Sequence, residues 1–274
     1  MHWGFEAVAR ERADDDRLEA CGLTLAFGDR TIQRDLSFSV RPGSIFAIMG
    51  GSGCGKSTVL KAMIGLLRPS AGMILVDGED FWAATIERRM QIGRRFGVVF
   101  QNGALWSAMT VAENVALPLQ MFTPLDSAAV SALVRLKLSL VGMRAAGPRM
   151  PAELSGGMRK RAGIARALAL DPDIIFLDEP SAGLDPVTAK RLDDLILELR
   201  DGLGATIVMV SHELPSLFSI CDDGVFLDAE MRTAIAHGAP AALRDSCEDP
   251  TVVAFMNRGG PHRSEPKAEL RARR

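Results

Sequence analysis

The sequence predicts an α/β fold in which an inserted helical block interrupts a sheet. Short apolar runs beside turn or charged residues indicate buried strands, as at residues 174–177 and 205–210. Longer stretches with helical periodicity lie between strand signals, at residues 111–119 and 128–141. A hydrophobic fraction of 47% over 274 residues is enough for a packed core, in one large domain or two small ones.

The chain is predicted to begin with strands and to reach its first helix after a glycine-rich loop. Residues 1–17 are charged and indicate a flexible lead-in. Residues 18–40 alternate loosely, which is typical of two strands joined by a turn, and we expect them to contribute to an antiparallel β subdomain. A buried strand is predicted at residues 44–49, and a helix at residues 56–67 stops near Pro69.

The middle of the chain changes from strands to helices. Short strands are predicted at residues 73–76 and 97–100, and the inserted α-helical subdomain follows at about residues 102–170. Strand character then returns, and a final pair of strands at residues 224–227 and 233–236 is expected to close the ordered core. This pattern places one α/β domain at residues 18–258. Residues 259–274 have no core pattern and a basic end, which indicates a disordered tail.

Composition argues against several classes of protein. The net charge of −2 gives no support to nucleic-acid binding. No apolar run is long enough to cross a bilayer, and the start of the chain lacks the apolar stretch of a signal peptide. The four cysteines are widely spaced without a C-x-x-C pair, which favours a reduced cytosolic chain over a disulfide framework or a metal site.

Residues 50–58 form a glycine-rich loop that fits G-x-x-x-x-G-K-[ST], between the predicted strand and helix. Glycines let several backbone N–H groups point at one phosphate, and the positive end of the following helix strengthens the attraction. Lys56 is expected to reach the β- and γ-phosphates, and the Ser57 hydroxyl to bind Mg²⁺. The sequence therefore predicts a nucleoside triphosphate site. Its residues are Gly50, Gly51, Ser52, Gly53, Cys54, Gly55, Lys56, Ser57 and Thr58.

Two carboxylates and a histidine follow predicted strands. Asp178 and Glu179 come directly after residues 174–177, and beside a phosphate loop Asp178 can hold Mg²⁺ through water. Glu179 can orient and deprotonate the attacking water, since hydrolysis needs a base near the γ-phosphate. His212 follows another strand, at the end where open α/β sheets gather ligands, and is expected to bond the γ-phosphate.

A second anion cradle is predicted at residues 154–158, which read Leu-Ser-Gly-Gly-Met. Ser155 suits the N-cap of the helix that follows, and Gly156 and Gly157 expose backbone N–H groups at its positive end. This cradle is remote in sequence from the first. Two phosphate cradles in one chain imply either two nucleotides or one nucleotide shared between subunits.

Together these motifs resemble the nucleotide-binding subunit of ABC transporters across about residues 18–240. Residues 50–58 resemble the Walker A motif of that family, residues 154–158 its signature motif and residues 174–179 its Walker B motif. His212 resembles the switch histidine. The resemblance implies an ATP hydrolase with a P-loop NTPase core, an antiparallel β subdomain and an inserted helical subdomain.

The resemblance also implies a mechanism. Two such domains close head to tail around two ATP molecules, so that Ser155, Gly156 and Gly157 of one copy face the γ-phosphate held by the other. Asp185, in a segment similar to the D-loop, would link the two sites. Gln101 resembles the Q-loop glutamine, which would contact Mg²⁺ and water and pass its movement to the helical block.

An aromatic residue ahead of the glycine loop stacks on adenine in this family. Phe27 holds that place, where the family more often has tyrosine, and this chain contains no tyrosine. Phe27 is therefore expected to stack on the base, with packing in the core as the alternative.

The segment after Gln101 resembles that of the ATPases of Mla-type lipid transport systems, which work with MCE proteins. Residues 103–106 read Gly-Ala-Leu-Trp and residues 114–119 read Asn-Val-Ala-Leu-Pro-Leu. Met158 in the signature motif fits the same group, as do residues 237–240, 249–252 and 255–256. The resemblance implies transport of phospholipid between inner and outer membranes.

The implied partners are a second copy, an integral-membrane permease dimer, a periplasmic MCE protein and a small STAS-domain subunit against the helical block. The implied ligands are ATP and Mg²⁺, and the implied location is the cytoplasmic face of the inner membrane. Three alternatives compete with this interpretation. The first is an ATPase for lipoprotein release or polar-solute import. The second is a soluble ABC ATPase of translation or DNA repair, and the third is an inactive regulator, which Glu179 and His212 argue against.

Overall fold

Ten strands and nine α-helices make up residues 16–257, the part of the chain described by this computed structural model. The strands are β1 (Leu18–Phe27), β2 (Arg30–Val40), β3 (Ile45–Gly50), β4 (Ala71–Val76), β5 (Glu79–Asp80), β6 (Phe96–Val99), β7 (Ile174–Asp178), β8 (Thr206–Val210), β9 (Asp223–Leu227) and β10 (Ala234–His237). The helices are α1 (Lys56–Met63), α2 (Ile86–Gly93), α3 (Val111–Phe122), α4 (Ser127–Leu140), α5 (Gly156–Ala167), α6 (Pro186–Leu203), α7 (Leu214–Ile220), α8 (Pro240–Ser246) and α9 (Pro250–Met256).

These strands form two sheets. The smaller is antiparallel in the order β2-β1-β4-β5, which confirms the predicted β subdomain and its turn between β1 and β2. The larger has the order β10-β9-β3-β8-β7-β6, and all of its strands run parallel except the edge strand β10. The α/β class predicted from the sequence is therefore confirmed.

Strand β3 lies inside the larger sheet and divides the core in two. All six of its residues are buried, because the sheet is covered on both faces. Side chains alternate between the faces of a strand, so Ile45, Ala47 and Met49 join one apolar cluster. Phe46 and Ile48 join the other, which includes α1 and the smaller sheet. The strand thus fixes both layers of the fold around the loop that follows it.

The helical block lies between β6 and β7 in the chain, as predicted. Its core is formed by apolar side chains of α3 and α4 such as Val115, Leu119 and Leu138. Helix α5 belongs to both parts, because Gly163 also approaches the backbone of Gly103 just after β6. No described helix is both long and apolar enough to span a membrane.

Two predicted elements differ from the structure. Helix α1 ends at Met63 rather than at residue 67, because Gly65 adopts a φ of +83° and closes a Schellman motif. In that motif the N–H of Leu66 donates to the carbonyl of Lys61 over 2.8 Å. The expectation that residues 224–236 close the ordered core is wrong, because α9 buries Val252, Phe255 and Met256 in it.

The termini lie largely outside the described residues, including the predicted tail at residues 259–274 and most of the lead-in at residues 1–17. Arg17, the last residue of that lead-in, is held in place. Its N–H donates to the carbonyl of Val40 and its guanidinium binds Asp77, which also pairs with Arg95. This ion-pair cluster joins the smaller sheet to the start of β6.

Gly224 permits the close pairing of β9 with β3, so we expect Gly224→Ala to destabilise the fold. A Cβ at this position would lie 2.6 Å from the carbonyl oxygen of Ala47. Backbone in a central sheet cannot move away cheaply, and we expect a loss of about 1–3 kcal/mol in the free energy of unfolding. Gly202→Ala in α6 is the matched control, since no atom lies within 4 Å of its Cβ position. It should stabilise the helix slightly, and equal urea midpoints for the two variants would contradict this account.

Candidate active site

Three parallel strands end side by side at one edge of the larger sheet. Ile48 of β3 is in register with Val210 of β8, and Val210 is in register with Asp178 of β7. Strands β7 and β8 end at this row, whereas β3 continues two residues further to Gly50, and backbone bonds continue across the row. The N–H of Glu179 donates to the carbonyl of Val210 over 2.9 Å. The loops after β3, β7 and β8 are therefore neighbours, as the sequence predicted from their positions after strands.

The glycine-rich loop depends on close backbone contacts. Gly50 has a φ of +141°, and a Cβ there would lie 2.3 Å from the carbonyl oxygen of Leu227. Gly55 precedes α1 with a φ of +96°, and its Cβ would lie 2.7 Å from Cγ2 of Ile32. Side chains are excluded at both positions, so the loop can turn sharply before α1 and direct its N–H groups toward an anion.

The Lys56 side chain lies against the loop it belongs to. Its Nζ donates to the carbonyls of Gly50 and Gly51 over 2.9 and 2.8 Å, and it lies 3.8 Å from Sγ of Cys54. Burial raises the pKa of the Cys54 thiol, against the opposing effect of the Lys56 charge. Gln33 of β2 also holds the loop, since its Nε2 donates to the Cys54 carbonyl over 2.6 Å.

Ser57 and Asp178 form a pair of oxygen donors suited to Mg²⁺. The Ser57 hydroxyl donates to Oδ1 of Asp178 over 3.5 Å. Burial, followed by the charge of Glu179, raises the pKa of Asp178. A cation beside this carboxyl would therefore offset the cost of keeping it ionised. The described residues contain no cluster of three His, Cys, Asp or Glu for a metal. The donors therefore fit an ion that takes its other ligands from water and phosphate, as Mg²⁺ does.

Glu179 and His212 are brought into direct contact. Nδ1 of His212 lies 2.7 Å from Oε1 of Glu179, while Oε2 of Glu179 is buried without a hydrogen-bond partner. Glu179 also has a φ of +49°, a left-handed conformation that costs a non-glycine residue about 1–2 kcal/mol. Strain of this kind concentrates at functional sites. The His212 side chain is 53% exposed, whereas that of Glu179 is 12% exposed.

Lys160 of α5 is a residue of this site that the sequence analysis missed. Its side chain is buried, and its Nζ donates to the backbone carbonyl of Glu179 over 2.9 Å. Burial lowers the pKa of Lys160, against the charges of Glu179 and Glu213. The sequence contains one signal for it, because Gly157, Lys160 and Ile164 recur at helical spacing on the buried face of α5.

The second cradle is a separate feature of the same chain. Ser155 caps α5 and accepts a hydrogen bond from the N–H of Met158 over 3.3 Å. Gly157 packs on α6, where its Cβ would lie 2.6 Å from Cγ2 of Thr188. Asp185 caps α6 by accepting from two backbone N–H groups, and bonding to Thr188 lowers its pKa. Among the described residues, no hydrogen bond joins this cradle to residues 50–58.

Two further residues that the sequence predicts for the site lie at the surface. Gln101 is exposed, two residues beyond the end of β6. Phe27 ends β1 with 53% of its surface exposed, which removes the alternative of packing in the core.

The segment after Gln101 is fixed by one buried amide. Oδ1 of Asn114 accepts from the N–H of Trp106 over 2.8 Å. Its Nδ2 donates to the carbonyls of Trp106, Met109 and Thr110 over 3.1, 3.1 and 2.9 Å. These bonds hold the loop in one conformation and leave the Trp106 side chain 60% exposed. A groove of about 380 Å³ lies between α2, α3 and α5, lined in part by Met90, Arg94 and Phe122.

Comparison with known proteins agrees with this geometry. The family model described as ABC transporter matches residues 33–182. The ATP-binding cassette MJ0796, solved as a dimer in a post-hydrolysis state bound to ADP and Pi, superimposes on this chain with a TM-score of 0.73 at 26% sequence identity. That match covers 80% of this chain and 97% of the other.

Two curated relatives differ in what their names say they transport. The intermembrane phospholipid transport system ATP-binding protein MlaF of Escherichia coli is 44% identical over 230 residues, 84% of each chain. The probable ribonucleotide transport ATP-binding protein mkl of Mycobacterium tuberculosis is 39% identical over 240 residues. That match covers 88% of this chain and 66% of the relative.

The raised pKa of Cys54 predicts slow alkylation at neutral pH. Fewer thiolates form than in an exposed cysteine, so the rate with iodoacetamide should rise only at strongly alkaline pH and should fall when ATP is added. Peptide mapping by mass spectrometry measures the alkylation rate of Cys54, with the half-buried Cys247 as the internal reference. A Cys54 rate that equals that of Cys247 at pH 7 and ignores ATP would contradict the assignment.

Proposed function

Because the chain belongs to the ABC transporter family, we propose that it is the ATP-hydrolysing subunit of a membrane transporter whose substrate is phospholipid. The observation that carries the catalytic part of the proposal is the meeting of three strand ends. It brings Lys56 and Ser57 of the glycine-rich loop close to Asp178, and Glu179 into contact with His212. The transported substrate is inferred from the relatives.

The glycine-rich loop would bind the triphosphate. Backbone N–H groups of residues 50–58 and the start of α1 would surround the phosphates. Lys56 would exchange the carbonyls of Gly50 and Gly51 for phosphate oxygens, a short movement of its ammonium group. Ser57 would bind Mg²⁺ directly and Asp178 would hold it through water, with Gln101 as a further ligand from the loop after β6. The ion, when bound, would neutralise negative charge on the β- and γ-phosphates.

Glu179 would act as the general base. Its carboxylate would orient a water molecule and accept its proton as the oxygen attacks the γ-phosphorus. The buried Oε2 is free of competing hydrogen bonds, which suits an oxygen that must bind water. His212 is the more exposed partner of the pair, so its ring can turn toward the γ-phosphate while Glu179 stays in place.

Two copies would share each nucleotide. The cradle formed by Ser155, Gly156 and Gly157 is separate from the loop at residues 50–58, and MJ0796 is dimeric in its solved structure. We infer that the cradle of one copy binds the γ-phosphate held by Lys56 of the other. Asp185, at the start of α6 and beside Gly157, would link the two sites. Of the two possibilities that the sequence left open, we therefore favour a nucleotide shared between subunits.

Phospholipid is the preferred substrate class. Support comes from the 44% identity with MlaF, which extends over 84% of both chains. Residues 103–119 gave the resemblance in the sequence, and within them Asn114 fixes the loop at residues 106–110 that presents Trp106. The mkl protein, named for ribonucleotide transport, keeps import of a polar solute as the second candidate.

The partners follow from the same assignment. A permease dimer would dock at Trp106 and at the groove between α2, α3 and α5, which places an aromatic and an apolar surface beside the loop of Gln101. A periplasmic MCE protein would continue the lipid path, and a STAS-domain subunit would bind the outer face of α3 and α4. The chain would then work at the cytoplasmic face of the inner membrane.

Glu179→Gln should retain ATP and lose turnover. An amide preserves the shape of the side chain and cannot accept the proton, so steady-state hydrolysis should fall by roughly a hundredfold or more, while ATP-bound dimers accumulate. Phosphate release and gel filtration with ATP measure the two effects. Lys56→Ala is the matched comparison, because it should weaken ATP binding and yield no stable dimer. Wild-type turnover in Glu179→Gln would remove the base assignment.

The substrate assignment predicts a response to lipid. The chain, purified with its membrane complex and placed in vesicles, should hydrolyse ATP as labelled phospholipid moves out of them, and ribonucleotides should leave the rate unchanged. An MCE protein should be identified in the complex by mass spectrometry. Transport of a ribonucleotide in the same vesicles would favour the second candidate instead.

Trp106→Ala tests whether the permease docks at Trp106. It should release the chain from the complex and leave hydrolysis by the isolated chain intact, since Trp106 lies outside the nucleotide site. Leu136→Ala removes a side chain of similar exposure, 51%, from α4 and should keep the permease bound. Equal retention of both variants in the complex would contradict docking at Trp106.

A further inference from the structure

Lys160 is a buried charge that the proposed steps of hydrolysis do not use. Only 6% of its surface is exposed, and it lies one turn into α5. Burying an ammonium group is costly unless a partner compensates. The partner here is the backbone carbonyl of Glu179, at 2.9 Å, with the charges of Glu179 and Glu213 nearby. A charge-assisted bond to that carbonyl is stronger than a neutral one.

The carbonyl that Lys160 binds belongs to a strained residue. Glu179 has a φ of +49°, which a glutamate adopts only when its surroundings impose it. Its N–H is fixed by the carbonyl of Val210, at the end of β8. Lys160 fixes the other side of the same residue. The two bonds hold the backbone of Glu179 at its N–H and at its carbonyl, and so set where its carboxylate lies relative to His212.

The position of Lys160 on α5 connects this bond to the second cradle. Ser155 caps the helix and Lys160 follows five residues later, which is about 8 Å along a rigid helix. In the proposed dimer, Ser155 and Gly157 face the nucleotide of the other copy. One helix therefore touches the partner's ATP at its start and the base of its own site one turn later.

We propose that Lys160 is a positioning residue that holds Glu179 in its active conformation and couples it to the cradle at the start of α5. The inference rests on the roles proposed above for Glu179 and Ser155. Loss of the bond should leave ATP binding in the glycine-rich loop intact. It should instead misplace the base, and a displacement of the order of 1 Å can cost roughly a hundredfold in rate.

Lys160→Met tests the proposal, because methionine keeps the length and removes the donor. We expect kcat for ATP hydrolysis to fall roughly tenfold to a hundredfold with KM for ATP unchanged. Lys160→Arg, which retains a charged donor, should recover part of the loss. A rise in KM at constant kcat, or an arginine variant no better than methionine, would overturn the proposal.

A double-mutant cycle separates positioning from general destabilisation. If Lys160 acts through Glu179, adding Lys160→Met to Glu179→Gln should not lower the residual single-turnover rate further. An additive loss would show a merely structural role. The same variants separate the role of Lys160 from that of Glu179. Wild-type turnover in Glu179→Gln would remove the assignment of Glu179 as the base. An inactive Glu179→Gln together with a fully active Lys160→Met would remove only the role of Lys160.

Lys137→Met is the matched control for removing a buried lysine. Lys137 of α4 is 3% exposed and pairs with Asp171, outside the nucleotide site. Lys137→Met should lower the melting temperature of the protein and leave kcat and KM for ATP unchanged. A kcat loss in Lys137→Met as large as that in Lys160→Met would attribute both to instability and overturn the proposal.

Discussion

The pairing of three parallel strands is the constraint on which the site depends. Ile48, Val210 and Asp178 form one row across the larger sheet, and each strand ends at that row or within two residues of it. The phosphate loop, Glu179 and His212 are therefore placed by backbone hydrogen bonds before any side chain is considered. Mutual burial of β3, β7 and β8 maintains the row, so the stability of the core and the geometry of the site have the same origin.

Other parts of the structure contact the loops at this edge of the larger sheet. The smaller sheet presses Ile32 and Gln33 against the glycine-rich loop, and β9 approaches the loop through Leu227. From the opposite side, α5 reaches Glu179 through Lys160 and holds the loop after β6, since Arg166 donates to the carbonyls of Gly103 and Ala104. Helix α5 is thus joined to the site by hydrogen bonds from the Lys160 and Arg166 side chains to backbone carbonyls.

The sequence predicted the strands of the larger sheet well, because buried parallel strands are short apolar runs with little ambiguity. Asp178, Glu179 and His212 were located by their places after such runs. Helix α6 was not predicted, although Leu192, Leu195 and Leu199 follow helical spacing. The burial of Lys160 depends on tertiary contacts, and a lysine within a basic helix gives little local sign of it.

Phe27 has a consequence for the choice of nucleotide. Its ring stands exposed at the end of β1 and carries no hydrogen-bonding atom. An aromatic face can stack on any nucleobase, so such a contact adds affinity without distinguishing adenine from guanine. If the base is held by this ring alone, the subunit is indifferent to the identity of the purine, and the abundance of each triphosphate in the cell decides which one fuels it.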